Sequence, residues 1–358
     1  MTLDRARYAL SEQENERIFR RRIVPQVLGG SGRRLPAVVF VAGQTGAGKS
    51  ALASLVTRAL TRADGTGPVS LNLDIYKPYH PEYDRLLAED DTTAGAYTSI
   101  DGHKWMEKAE AYVISHRLDA VMESAMRDPR DFEEPVARFR DAGYRVEVAV
   151  LAVHEACSRL GALERYLRQV AVTGAGRLID RHIHDACYRG VLRSADGIDT
   201  SRVAHSVFAL RRDAYCVYSN HLDSAGQWVR EPGTAAAIAL ERNRAWTRSE
   251  THRFACSIAV ARDSIRSLAP RLRESSEAEL RDILDLASPL RHPQPGAGPA
   301  AHPPVVAAQD SADIRQWWPQ LAQGGPAAGQ PATGRHGTSP SPSANLPARP
   351  ERGFEAGR

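Results

Sequence analysis

Cysteine is scarce in this chain. Cys157, Cys187, Cys216 and Cys256 are the four present among 358 residues, and no two of them stand in C-x-x-C spacing. Thiols so few and so far apart build no disulfide framework and no zinc ribbon, so reduced side chains in a cytoplasmic protein are the simplest reading. A dominant charge is also lacking: 47 Lys and Arg stand against 43 Asp and Glu, a formal net charge of +4. The arginines are scattered among acidic residues rather than gathered on one basic face, so nothing calls for a nucleic-acid partner. Long apolar runs are missing too. No stretch approaches the roughly 18 residues of a membrane span, and Met1 to Leu10 is charged, without the apolar core of a secretory leader. The expectation is a soluble, cytoplasmic chain with no membrane partner.

What is present is punctuated unevenly. More than half of the 22 prolines lie from Pro289 onward, mixed with Gly, Ala and Ser in runs such as Gly324-Gly325-Pro326. Such a composition buries too little apolar surface to offset its chain entropy, and a disordered tail is expected there. Trp317-Trp318 is its one apolar island. Upstream, Ser11-Glu12-Gln13-Glu14 fits a capping box opening a helix that runs towards Val24, with Pro25 and Gly29-Gly30 ending it. Ala37 to Ala42 is a continuous apolar run, as in a strand buried on both faces. Val69 to Leu73, Asp119 to Met122, Arg145 to Val153 and Val207 to Leu210 read as further strands. Asp101 to Arg117 and Asp131 to Ala142 read as helices between them, and Ala235 to Leu286 is helical in pattern throughout. Strands alternating with helices predict an α/β fold, a three-layer sandwich around a mainly parallel sheet. Ligands of such folds lie beyond the carboxyl ends of the strands. Asp74 and Glu123 fall at those ends on this reading.

Between the first strand and the next helix stands Gly43-Gln44-Thr45-Gly46-Ala47-Gly48-Lys49-Ser50, which satisfies G-x-x-x-x-G-K-[ST] in the strand–loop–helix context that gives the pattern meaning. Glycines let backbone N–H groups close around phosphate oxygens, and the helix start adds its positive end. Lys49 then neutralises the β and γ phosphates of ATP, and the Ser50 hydroxyl is the candidate ligand of Mg2+. A P-loop alone does not separate kinases from ATPases and nucleotide switches. Transfer to an alcohol needs a carboxylate beside the hydroxyl to take its proton. Asp74, read as ending a strand beside the P-loop strand, fits that base, a metal ligand or a helix cap equally well. Val121-Met122-Glu123 ends in Glu where motor-type ATPases have a magnesium-binding Asp. Arg165, Arg168 and Arg177 by themselves read as solvated surface, and His80 before Pro81 as a turn-shaping residue. In His182-x-His184-Asp185, histidines two apart on a helix share no face, which argues against chelation by that pair.

Asn72-Leu73-Asp74-Ile75-Tyr76-Lys77 followed by His80-Pro81-Glu82-Tyr83 resembles the Asp-containing strand end and His-Pro-x-Tyr turn of the zeta toxin family, kinases of toxin–antitoxin systems that phosphorylate UDP-N-acetylglucosamine. Glu123-Ser124-Ala125-Met126-Arg127 resembles that family's sugar-nucleotide stretch. Arg165-Tyr166, Gly176-Arg177 and His184-Asp185 resemble its lid, and Arg211-Arg212-Asp213 with Cys216-Val217-Tyr218 its last strand segment. The resemblance runs over about residues 11 to 220. It implies Asp74 as general base on the sugar 3′-hydroxyl, Lys49, Arg165 and Arg177 as stabilisers of the transferring phosphoryl group, and Glu123 and Arg127 as substrate contacts. Lys77 and His80 join the substrate site by the same token, although Lys77 stands where many members have Arg and Ala125 replaces a hydroxyl residue. ATP and Mg2+ are the implied cofactors, a UDP-sugar or other small acceptor the implied substrate, and an antitoxin protein the implied partner. The chain then divides into an N-terminal helical segment (1–34), a P-loop kinase domain (35–220), a helical extension (221–288) and the tail (289–358). A different class of function, a nucleotide-binding module regulating a partner with little transfer activity, shares the same P-loop.

Overall fold

The computed structural model describes residues 4–90, 93–174, 176 and 178–292; Trp317-Trp318 and nearly all of the Pro-rich segment lie outside them. β1 (Ala37–Ala42) is apolar and buried at every position, a pattern that demands cover on both faces. It lies inside the sheet, pairing in parallel with β3 (Ala120–Ser124) on one side and β4 (Arg145–Leu151) on the other, and helices cover its two faces. β2 (Val69–Leu71) extends the sheet beyond β3 and β5 (Ser206–Leu210) beyond β4, both parallel. β6 (Cys216–His221) then closes the β5 edge antiparallel, with a register shift at Ala209/Leu210. The order across the described sheet is β2-β3-β1-β4-β5-β6.

Helices supply the crossovers. α1 (Glu12–Ile18), a π-turn over Phe19–Ile23 and α2 (Val24–Val27) precede β1, and α3 (Lys49–Leu60) follows it. From β2 the chain passes through α4 (Leu73–Tyr76), α5 (Tyr83–Glu89) and α6 (Ala94–Tyr97) into α7 (Ser99–His116), which returns to β3. α8 (Arg130–Asp141) links β3 to β4, while α9 (Glu155–Thr173) and α10 (Arg181–Ser201) link β4 to β5. After β6 come α11 (Thr234–Asn243), α12 (Arg248–Arg266) and α13 (Pro270–Ala287).

The period of two along β1 sends Val38, Phe40 and Ala42 to one face and Val39 and Val41 to the other. Trp105 of α7, Phe132 and Phe139 of α8 and Ile198 of α10 cover the first face, and Leu52 and Val56 of α3 the second. Those are the three layers the strand–helix alternation predicted. A further apolar cluster joins Leu160, Leu163 and Leu167 of α9 to Phe254 and Ile258 of α12 and Ile283 of α13.

Three local expectations change. Ser11 does cap α1, its Oγ accepting from Glu14 N at 3.2 Å, but the Glu14 carboxylate turns to Arg17 instead of back to the cap. Pro25 does not stop the N-terminal helix. The chain widens into the π-turn just before it, which relieves the clash of the proline ring with a carbonyl one turn back, and continues to Val27. β2 ends at Leu71, not at Asp74, and β3 separates it from β1. The reason is Asn72, whose side chain accepts from Asp74 N at 2.9 Å and starts α4 two residues early. Asp74 therefore stands in a helical first turn beyond the edge strand.

Candidate functional site

The loop between β1 and α3 is built on backbone freedom. Gly46 has φ +77°, and a Cβ there would lie 1.9 Å from Ser158 O of α9; Gly48 caps α3 with φ +105°. Only glycine meets both demands, a left-handed backbone and a neighbouring chain at that distance. Gly43 N donates to Ser124 O at 3.1 Å and Ala47 N to Gln44 O at 3.1 Å, closing the turn that carries Thr45 and Gly46.

Lys49, the first residue of α3, donates from Nζ to Gly43 O at 2.9 Å and to Gln44 O at 3.3 Å. Burial lowers its pKa most; Glu123, Cys187 and Asp74 oppose that effect, and Arg165 adds to it. Glu123, Asp74 and Arg165 thus act on a single ammonium, although they come from β3, α4 and α9. Ser50 donates from Oγ to Glu123 Oε2 at 3.1 Å, and Asn72 Nδ2 donates to Glu123 Oε1 at 2.8 Å. The register explains the first contact, since Glu123 lies opposite Val41 of the strand that feeds the loop.

Asp74 is 67% exposed at its side chain and forms an ion pair with Lys77, one turn on. Arg165 is exposed on α9. Arg127 is exposed on the loop after β3, and with Lys49 it acts on the Cys187 thiol of α10, whose pKa burial raises. Arg177 lies outside the described residues. His80 is not brought to the cleft. Its ring is buried, Nδ1 accepting from Glu82 N at 3.2 Å and Nε2 lying 3.1 Å from Tyr8 O and 3.4 Å from Asp101, so it pins the turn and the N-terminal segment. His184 meets Asp185 and Glu155 rather than His182, their ligand atoms all within 4.8 Å of one another. Arg159 and Arg181 pair with those carboxylates, which makes the group an ion-pair network.

Two arginines at the loop carried no assigned role in the sequence. Arg212 donates from Nε to Ala47 O at 3.1 Å and from Nη2 to Gly46 O and Cys157 O, gripping the P-loop from β5's end. Burial lowers its pKa. Arg212 also lines a cavity of about 390 Å³ whose wall mixes Val153, Trp246 and Phe254 with charged side chains such as Glu241, Arg244 and Glu250. The adjacent Arg211-Arg212-Asp213 run was its only signal. Arg242 of α11 donates to the Gln44 side chain, and nothing in the pattern of an ordinary surface helix marks it.

The donor set fits the groups a P-loop implies. Lys49 stands at the start of α3, where the loop meets the helix, and the hydroxyl of Ser50 beside the carboxylate of Glu123 is a pair of hard oxygen ligands suited to Mg2+.

Residues 29–223 match the family model described as Zeta toxin. "Toxin PezT" of Streptococcus pneumoniae serotype 4 (strain ATCC BAA-334 / TIGR4) is 22% identical over 214 residues, which cover 60% of this chain and 79% of PezT. A solved structure from the PezAT chromosomal toxin–antitoxin system of Streptococcus pneumoniae superposes with a TM-score of 0.59 at 17% identity, over 78% of this chain and 99% of that one. At that identity the likeness is one of fold. A structure of AvrRxo1-ORF1:AvrRxo1-ORF2 with sulphate ions reaches a TM-score of 0.43 at 14% identity, over 71% of this chain and 80% of that one.

Proposed function

From the premise that the chain belongs to the zeta toxin family, whose model spans more than half of its length, we propose that it transfers the γ-phosphoryl group of ATP to the 3′-hydroxyl of UDP-N-acetylglucosamine, as the toxin of a toxin–antitoxin pair. Its coarser character, a kinase-like toxin with a P-loop, follows from the family itself. One arrangement supports the kinase reading: Ser50 donates to Glu123 at 3.1 Å, Asn72 donates to the same carboxylate at 2.8 Å and caps the turn that presents Asp74, so two carboxylates from separate elements gather at the P-loop beside Lys49. That is the set a phosphoryl transfer to an alcohol requires, a base and a metal-side carboxylate with a cation beside the moving group. The sugar nucleotide as acceptor rests on the family resemblance.

In this reading the P-loop amides and Lys49 hold the β and γ phosphates. Ser50 and Glu123 would hold Mg2+, which when bound would offset phosphate charge. Asp74 takes the proton of the acceptor hydroxyl as that oxygen forms its bond to the γ-phosphorus and the bond to the β–γ bridging oxygen breaks, releasing ADP. Arg165 and Arg177 stabilise charge on the phosphoryl oxygens; the role of Arg177 rests on the family's lid motif alone. Arg127 is the contact for the acceptor's diphosphate. Lys77 holds Asp74 in place through their ion pair, while His80 supports that turn from within. The cavity that shares Arg212 with the loop offers Trp246 and Phe254 to the purine face and charged side chains such as Glu241 and Arg244 to its polar edge. The helical segments 1–34 and 221–288 flank a kinase domain of residues 35–220. A small antitoxin that covers the ATP site is the expected partner.

The test is ATP consumption with Mg2+, with and without UDP-N-acetylglucosamine, and identification of the product by mass. A sugar nucleotide gaining one phosphate is the expected outcome. ATP binding with no phosphorylated acceptor across a panel of alcohols would replace the kinase reading with that of a nucleotide-binding module.

A further inference from the structure

Beneath the P-loop, Arg242 enters from α11, outside the span that the family model matches. It is 2% exposed, and among the described residues no carboxylate stands within ion-pair distance of it. Its guanidinium lies 4.0 Å over the ring of Tyr188 on α10. Nη1 donates to Tyr188 O at 2.9 Å, Nη2 to Gln44 Oε1 at 3.0 Å, and Nε has no partner. Gln44 is itself fully buried. Its Nε2 donates to Val153 O at 2.8 Å and Ser158 Oγ at 3.1 Å, and Ser158 Oγ lies 2.9 Å from His184 Nε2. The second residue of the P-loop therefore points its whole side chain inward, where it meets β4's end, α9 and α11 directly and α10 through Ser158 and Arg242.

A buried cation without a carboxylate partner is costly, and an apolar side chain would pack the same gap at less expense. Burial pushes Arg242 down to about 10, which leaves it charged at neutral pH. His154 beside it is held neutral, burial pushing its ring down to about 4. The charge thus persists, with Glu155 acting on it from beyond ion-pair distance, and it sits directly behind the loop that must attract polyphosphate.

We propose that Arg242 is a positioning residue for nucleoside triphosphate binding: through Gln44 it fixes the P-loop in its phosphate-receiving shape and couples that loop to α10. The inference rests on the ATP reading above and adds to it a part of the chain beyond the family's common span. Arg242 touches no phosphate in this scheme; it acts through Gln44.

The test is ATP affinity by calorimetry on the full chain, with urea unfolding run beside it. Arg242→Met is expected to weaken ATP binding about tenfold, the size of one hydrogen bond to a charged group, while kcat at saturating ATP stays within about twofold, a change confined to KM. Gln44→Met, which also cuts the bonds to Val153 and Ser158, should lose at least as much, and the double variant should be no worse than Gln44→Met alone, because the link to Arg242 is already gone there. Arg242→Lys, which keeps the charge but not both hydrogen bonds, should fall between. A folded Arg242→Met that binds ATP like the wild type overturns the proposal, and so do losses that add in the double variant. If Arg242→Met fails to fold, Gln44→Met cuts the contact from the other side, and wild-type affinity there overturns it equally. A wild type that binds no ATP overturns the functional reading and this inference together, whereas unchanged affinity in the variants removes the inference alone.

Discussion

Asp74 and Glu147 are both acidic, and their surroundings give them opposite work. Asp74 is two-thirds exposed, next to Lys77 and within the field of Lys49, so it is accessible to an incoming hydroxyl. Asp74→Asn keeps its shape and removes its basicity. Transfer to the acceptor is expected to fall by roughly 10²–10⁴-fold, the usual worth of a positioned base, with ATP affinity within about twofold of wild type. Retained transfer would take the base role away from Asp74. Glu147 is fully buried on β4 beside Arg145, with Oε2 unpartnered, and burial pushes its pKa up to about 7 from the ordinary 4.5. A carboxyl whose folded pKa is raised binds more protons in the native than in the unfolded state between those two values, so it lowers stability as pH climbs from about 4.5 to 7. Glu147→Gln should therefore gain on the wild type as pH rises from 5 to 8, by at most on the order of 3 kcal/mol. Urea unfolding at the two pH values measures it, and a gap that does not widen would show that Arg145 compensates the charge.

At the scale of elements, the P-loop was legible because its pattern is local: a buried apolar strand, glycines at fixed offsets and a helix. The strands of the parallel core were legible for the same reason. Asp74 was not placed correctly, since a strand pattern through Leu73 is compatible with sequence while the Asn72 cap that ends it is a matter of side-chain geometry. Neighbourhood in the sheet was equally hidden; β3, not β2, lies beside β1, which brings Glu123 rather than Asp74 to Ser50. The inward turn of His80 depends on Tyr8 and Asp101, far away in sequence. Because the P-loop packs on α9 as tightly as it does, Gly46→Ala is a sharp test of the loop as an element. Its Cβ would need the space of Ser158 O and Ala162 N while holding a left-handed backbone. The expected result is loss of measurable ATP binding with a folded sheet, seen by calorimetry and circular dichroism; ATP binding like that of the wild type would mean that α9 moves freely away from the loop.

At the scale of the whole molecule, the family-matched span of residues 29–223 packs against segments on both sides of it. Upstream of it, Asn15 donates to Asp101 at 2.8 Å and accepts from Trp105 Nε1 at 2.9 Å, which docks α1 on α7. Downstream, Ile238 of α11 belongs to the main core, and α12 and α13 cover Leu160, Leu163 and Leu167 of α9, the helix that also backs Gly46. The closure is specific at its end: Trp246 N donates to Leu290 O at 2.7 Å, and His292 N to Thr251 Oγ1 at 2.9 Å. No described helix is long and apolar enough to cross a membrane. Without α12 and α13 the apolar face of α9 would lose its cover. Each large apolar side chain exposed in this way forfeits about 1.5–3 kcal/mol, and a domain holds only about 5–15 kcal/mol in all. Given the disordered tail expected from its composition, a chain ending at residue 292 should unfold in urea at the same midpoint as the full chain and bind ATP equally well. One ending at residue 233, which keeps every strand and the whole P-loop but loses Arg242 and the cover of α9, should be insoluble or bind ATP at least tenfold more weakly. Full stability and affinity in the shorter chain would mean that the extension is an appendage; their loss would mean that phosphate binding in this protein is a property of the P-loop and its C-terminal helices together.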